Sequence, residues 1–371
     1  MKRLIAAVSL AALFAAGSVA MAAEDIVIGA GFLLSGRFAT YGEAAKAGVD
    51  MKVAEVNAAG GVLGRKVVID YVDTKADRAV AVANYRKWGA QKDVAAMLTI
   101  STIEFLALDP VGPEVKVPFV SVGSAGAIDK FNPWSFRVAL IVNKAMGPVL
   151  EELKSMYGIK SVGVIYDTTN NFTVSEMETV KTAAPAAGLR LTGIESFTGG
   201  DQDFALQISR MKQDEPDLVY LAATTGEAAL FISQMRAFGM KSRIIGGAGL
   251  NDPHIADLPG KAANGVMTYF PFDVNDSRPL VQNFVKTYKA AHGGNQPSAF
   301  VAAGWDATNL IIDSIRRAGS LDRDKIRQAM ASTKNLEGLN GMFSYDGAGD
   351  NLIQKPNIFA MTDGAYKRVS K

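Results

Sequence analysis

Apolar residues along this chain keep two alternating rhythms, short nearly continuous runs and longer stretches in which they return every three or four positions. Ile26, Val27 and Ile28 start a buried strand that runs toward residue 34, and Ala45, Val49, Val53 and Val56 then recur at helical spacing up to the stop signal Gly60-Gly61. Strands are expected at 67–72, 94–100 and 118–121, with a helix over 79–88. The alternation breaks near 141–147 and restarts with strands at 161–166, 189–197, 217–222, 243–247 and 266–270. Between these strands lie helices from 173 and over 204–212, and a third with Ala229, Ile232, Met235 and Phe238 on one face. Gly239 ends that helix as a left-handed cap. Residues 278–333 read as three successive helices, and 341–345 and 357–361 as late strands.

Near-continuous apolar strands alternating with helices imply parallel sheets covered on both faces. Two such runs in 371 residues imply an α/β protein of two doubly wound lobes, since one core rarely grows past about 250–300 residues. The late helical block suits a chain that crosses back, and several crossovers make a hinge with a cleft between rigid halves. Open parallel sheets bind ligands at the loops after their strand C-termini. Those loops, 35–41, 100–104, 122–128, 167–172, 223–226 and 248–252, hold hydroxyls, amides, glycines and aromatic rings with few ionisable groups. Ser101-Thr102 precedes a helix whose free N–H groups suit an anion. The same two residues also suit plain helix capping, and the residues alone leave both roles open.

Composition narrows the function class. Lys2 and Arg3, the apolar run 4–16 and Ala20-Met21-Ala22 have the layout of a cleaved secretory leader over 1–23, too short to span a bilayer, which needs about 20 apolar residues. No cysteine is present, so neither an acylated anchor nor a disulfide is available. A free, soluble periplasmic product is expected. Lys2 and Arg3 leave with the leader, which brings the 39 basic residues level with the 37 acidic ones and removes any footprint for nucleic acid or anionic lipid. His254 and His292 are the two imidazoles, the first in a turn and the second placed to cap a helix end. No G-x-S-x-G, H-E-x-x-H or Walker pattern occurs, and Gly29-Ala30-Gly31 is half a dinucleotide fingerprint better explained by tight packing. Asp201 and Asp203 read as caps of the helix that follows. No enzyme, metal or cofactor is expected.

Several stretches together carry a family likeness: 28–42 with Leu34-Ser35-Gly36 and Tyr41-Gly42, Ala47-Gly48 through Asn57-Ala58-Ala59-Gly60-Gly61-Val62, 118–123, 163–167, 199–206, 234–239 and Gly265-Val266. In them the chain resembles the type I periplasmic solute-binding proteins of ABC transporters, the leucine/isoleucine/valine-binding class. That resemblance implies two Rossmann-like lobes joined by a three-crossover hinge. It assigns 24–141 plus 272–345 to the N-terminal lobe and 142–271 plus 346–371 to the C-terminal lobe. It also implies ligand capture by hinge closure and delivery, as a monomer, to an inner-membrane ABC permease. A sensor presenting its ligand to a receptor could share the fold.

By position, the family's carboxylate-holding sites fall on Ser101, Thr102, Gly123, Ser124 and Ala125, and Tyr41 matches an aromatic of the side-chain pocket. Ala125 stands where threonine is common, Asn171 where tyrosine is usual, Thr224 near another tyrosine, and Ala248 where an acid pairs with the ligand's ammonium. Phe38, Phe105 and Phe172 add aromatic surface. A buried ammonium without a counter-charge costs several kcal/mol, so a methyl group at Ala248 suits a ligand lacking one. An aromatic or branched carboxylic or 2-oxo acid is therefore expected. The alternative is a branched-chain or aromatic amino acid whose ammonium meets Asn171, Thr224 or Asp273.

Overall fold

The computed structural model describes residues 24–128, 130–352 and 355–370, so the expected leader lies outside the described residues. The chain opens with β1 (Ile26–Phe32), α1 (Ala39–Ala58), β2 (Val67–Asp73), α2 (Arg78–Gly89), β3 (Val94–Thr99), α3 (Thr102–Leu108), the single turn α4 (Gly112–Val115), β4 (Phe119–Ser121) and β5 (Ser135–Arg137). It continues with α5 (Val142–Tyr157), β6 (Ser161–Asp167), α6 (Asn171–Ala186), β7 (Arg190–Phe197), α7 (Ala205–Gln213), β8 (Leu218–Ala222), α8 (Thr225–Ala237), β9 (Arg243–Gly246) and β10 (Met267–Phe270). Three helices follow, α9 (Pro279–Ala291), α10 (Ala299–Ala318) and α11 (Arg323–Ala331), then the short strands β11 (Leu336–Gly338), β12 (Gly341–Phe343) and β13 (Gly349–Asp350). Strands β14 (Asn357–Thr362) and β15 (Ala365–Arg368) end the described fold.

The strands form two large sheets of matching design, and β11 and β12 pair apart from them as an antiparallel ribbon. The first has the order β13-β5-β4-β3-β1-β2 and is parallel throughout. The second runs β15-β14-β10-β9-β8-β6-β7, parallel from β7 to β10, with β14 and β15 added antiparallel. Strands β3 and β8 sit inside their sheets, and every residue of both is buried, which is why they read as unbroken apolar runs. In each sheet the order reverses beside the first strand of the lobe, between β1 and β3 and again between β6 and β8. A crevice outside the strand ends is expected at both points.

Helices α1 and α10 pack backbone to backbone over the first sheet. A Cβ on Gly48 would overlap the carbonyl oxygen of Val301, and one on Gly304 that of Ala45, so glycine at both sites sets how closely these helices approach. Gly29 serves packing in the same way, because a Cβ there would run into the Trp88 ring.

Three of the sequence expectations need correction. The supposed break at 141–147 is the start of α5, an amphipathic helix that buries Val142, Ala145, Met146, Val149, Leu150 and Leu153 despite Pro148 in its interior. Packing of that apolar face overrides the local breaker signal. Strand β5 went unrecognised because its three residues, Ser135, Phe136 and Arg137, are all buried and only one is apolar. The final crossing also comes later than residue 346: Gly349 and Asp350 still pair with Phe136 and Arg137 in the first sheet.

Candidate functional site

The crevices of the two sheets face each other across two adjoining cavities. Lining residues of the outer one include Phe38, Tyr41, Ser101, Thr102, Gly123, Phe172, Thr224 and Ala248, all anticipated from sequence, together with Asn170 and Phe300. The inner, hinge-side one shares Gly123, Phe172, Ala248 and Phe300 with it and adds Ala125, Val138, Leu140, Asn251 and Tyr269. No ionisable acid or base appears among the residues lining either cavity, apart from the tyrosine phenols.

Polar groups converge on the outer cavity from the start of α3. Ser101 closes a capping box with Glu104: its Oγ accepts from Glu104 N–H at 3.1 Å and donates to Glu104 Oε2 at 3.0 Å. Thr74 and Thr99 also donate to the same buried carboxyl. Burial pushes Glu104 above the ordinary carboxylate range, and these hydrogen bonds oppose the rise. With Ser101 engaged in this way, Thr102 presents the more available hydroxyl. Its Oγ1 accepts from Ser124 Oγ at 3.3 Å and keeps its own proton for a ligand. Ser124 itself is fully buried behind the wall, with its N–H given to Ser121 Oγ at 3.2 Å, so its role is to support Thr102.

Three other anticipated residues stand elsewhere. Asn170 takes the N-cap of α6, its Oδ1 accepting from Phe172 N–H at 3.0 Å, and that turns Asn171 outward. Asn171 Oδ1 accepts from Arg78 at 2.8 Å beside a separate surface groove, while Asn170 lines the cavity. Phe105 faces the core, packed against Phe119 and Phe131, because the fourth residue of α3 points back at the sheet. Asp273 lies outside both linings, 3.5 Å from Arg368 and capping its own turn at Asn275.

Contacts across the cleft hold the lobes together. Arg37 pairs with Asp167 at 2.9 Å and approaches Glu227 at 3.6 Å. Tyr41 Oη donates to Gly249 O at 2.9 Å and accepts from Thr225 N–H at 3.0 Å, and its ring lies 5.0 Å from that of Phe300. Ala127 N–H donates to Ser175 Oγ at 2.7 Å. Beneath the 123–126 loop, the buried Arg137 donates to the carbonyls of Ser124 at 3.2 Å and Gly126 at 2.6 Å, and pairs with Asp350 at 2.7 Å.

Sequence reasoning missed Phe300, Asn170, Asn251, Arg37 and Arg137. Phe300 sits on a helix of the late block, outside any loop that follows a strand. The asparagines lay in two named loops, and Arg37 in a third, but nothing in the pattern distinguished them from neighbouring polar residues.

A family model described as "Periplasmic binding protein" matches residues 25–365. The Leu/Ile/Val-binding protein homolog 2 of Brucella abortus strain 2308 is 27% identical over 381 residues, covering 100% of both chains. The crystal structure of a leucine-binding protein from Thermotoga maritima superposes with a TM-score of 0.84 at 26% identity, covering 93% of this chain and 98% of the other. A solute-binding protein of an ABC transporter from R. palustris, solved with benzoate, shares the fold at a TM-score of 0.81 and 20% identity, over 93% and 96% of the two chains. No helix among the described residues is long and apolar enough to cross a membrane.

Proposed function

We propose, on the premise that this chain belongs to the periplasmic binding protein family, that its lobes close over a small carboxylate lacking an α-ammonium and deliver it to an inner-membrane ABC permease. The observation that carries this reading is the cavity lining, which offers hydroxyls, amides and aromatic rings but no acid to meet a buried ammonium. Ala248 places a methyl group against both cavities. An ammonium enclosed there would be left without a counter-charge, at a cost of several kcal/mol.

A carboxylate has partners. The N–H groups of Thr102 and Ile103 open the α3 helix, Thr102 keeps a free hydroxyl proton, and Asn170 brings an amide from the other lobe. Hydrogen-bond donors can stabilise an anion in this way without a basic side chain. Phe38, Phe172 and Phe300 supply the apolar walls for an aromatic or branched body. The leader expected over 1–23 would export the carrier to the compartment where it meets its ligand.

One observation favours a second reading: the Brucella relative is named for leucine, isoleucine and valine. A thermal-shift panel of leucine, phenylalanine, benzoate, 4-hydroxybenzoate and phenylpyruvate separates the two. An acid at 100 times its Kd should stabilise the protein by about 2.7 kcal/mol, with leucine giving no shift. Stabilisation by leucine alone would overturn the carboxylate reading.

A further inference from the structure

We infer that the hinge-side cavity recognises a neutral hydroxyl at the far end of the bound acid, with Asn251 as the residue that determines this specificity and Tyr269 as its partner. The inference rests on the carboxylate reading of the outer cavity and adds the class of acid: one with an apolar, typically aromatic body and a distal hydroxyl.

Most of the hinge-side wall is apolar, with Val138, Leu140, Val142 and Ala303 beside Phe172 and Phe300. Asn251 interrupts it. This residue ends the short turn that begins at Ala248 and is 6% exposed. Its backbone N–H donates to Ala248 O at 3.2 Å, while no hydrogen bond among the described residues engages its side-chain amide. An amide that the protein leaves unengaged and that lines a cavity is available to a ligand there. A primary amide offers both a donor and an acceptor, a pair that matches a hydroxyl.

Tyr269 lines the same cavity, and its oxygen lies 3.1 Å from where a Cβ on Gly247 would be, next to the backbone of Ala248. Tyr220 Oη is hydrogen-bonded to Glu176 Oε1 at 2.7 Å. Tyr220 and Tyr269 are 2.9 Å apart, oxygen to oxygen, and either hydroxyl can donate to the other. In either direction the Tyr269 oxygen keeps a lone pair that can accept from a ligand. A ligand hydroxyl can therefore donate to Tyr269 and accept from Asn251 Nδ2. A charged terminus is disfavoured because nothing ionised lines the cavity to compensate it.

Calorimetry with two matched pairs, benzoate with 4-hydroxybenzoate and 3-phenylpropionate with 3-(4-hydroxyphenyl)propionate, tests this on the mature wild-type protein, Asn251→Leu and Tyr269→Phe. In the wild type the hydroxylated member of at least one pair should bind about 10- to 100-fold tighter, because sites built to hydrogen-bond a hydroxyl reject analogues that lack it. That preference should fall to about threefold or less in Asn251→Leu and be reduced in Tyr269→Phe. Equal affinities within both wild-type pairs, or an undiminished preference in Asn251→Leu, would refute the assignment while leaving the carboxylate reading in place. Binding of leucine with no acid bound at all would remove both. Should Asn251→Leu fail to fold, as judged by circular dichroism, the wild-type ratios and Tyr269→Phe still decide.

Discussion

Replacing Ala248 with glutamate is expected to weaken binding of benzoate-type acids by about 100-fold or more, since two like charges about 4 Å apart repel by roughly 4 kcal/mol at the effective dielectric of a partly solvated site. The same substitution should leave phenylalanine binding undiminished or raise it, because the new carboxylate supplies the counter-charge that an α-ammonium requires. Ala248→Gln, similar in size but neutral, separates charge from crowding and should lower acid affinity far less than Ala248→Glu. Calorimetric titration of the three proteins with benzoate and phenylalanine gives the answer by sign. Equal losses of benzoate affinity in the glutamate and glutamine variants would show that Ala248 acts by its size, and the electrostatic account would be lost.

Arg137→Met should destabilise the protein by about 3–5 kcal/mol, the usual effect of removing one partner of a buried ion pair. The guanidinium is fully buried, carries the pairing of β5 with β13 through Asp350, and lies 4.9 Å from the Phe131 ring centre. Without it, Asp350 loses its pair and the carbonyls of Ser124 and Gly126 lose their donor. Those carbonyls belong to the loop that supports Thr102, so ligand affinity should fall along with stability. Urea denaturation of the ligand-free variant measures the first effect and titration the second. A midpoint within error of wild type would show that the ion pair contributes nothing to the fold.

The fold was legible wherever burial on both faces leaves an unbroken apolar signature, as in β3 and β8, or where one helix face is apolar over several turns, as in α10. It was illegible where a short strand is held by polar pairing. Strand β5 contains a buried arginine, and β13 is two residues that pair through Asp350. The site was legible as loops, because sheet topology fixes which loops meet. Individual residues were harder. Asn170 and Asn171 are adjacent and chemically identical, and the choice between them depends on which one caps α6, a matter of one backbone step. Phe300 reaches the cleft from α10, a helix of the late block that packs on the first sheet, and no local pattern encodes that approach.

Helix α8 belongs to the second sheet's lobe, yet its N-cap residue Thr224 gives it no side-chain hydrogen bond, and the N–H of Thr225 is met instead by the Tyr41 phenol from the first. An open helix end normally finds its partner within a residue or two along the chain. Here it is borrowed from a segment 184 residues away. Separating the lobes therefore unfinishes a helix as well as uncovering a ligand, and the backbone of α8 is tied to whether the protein is shut.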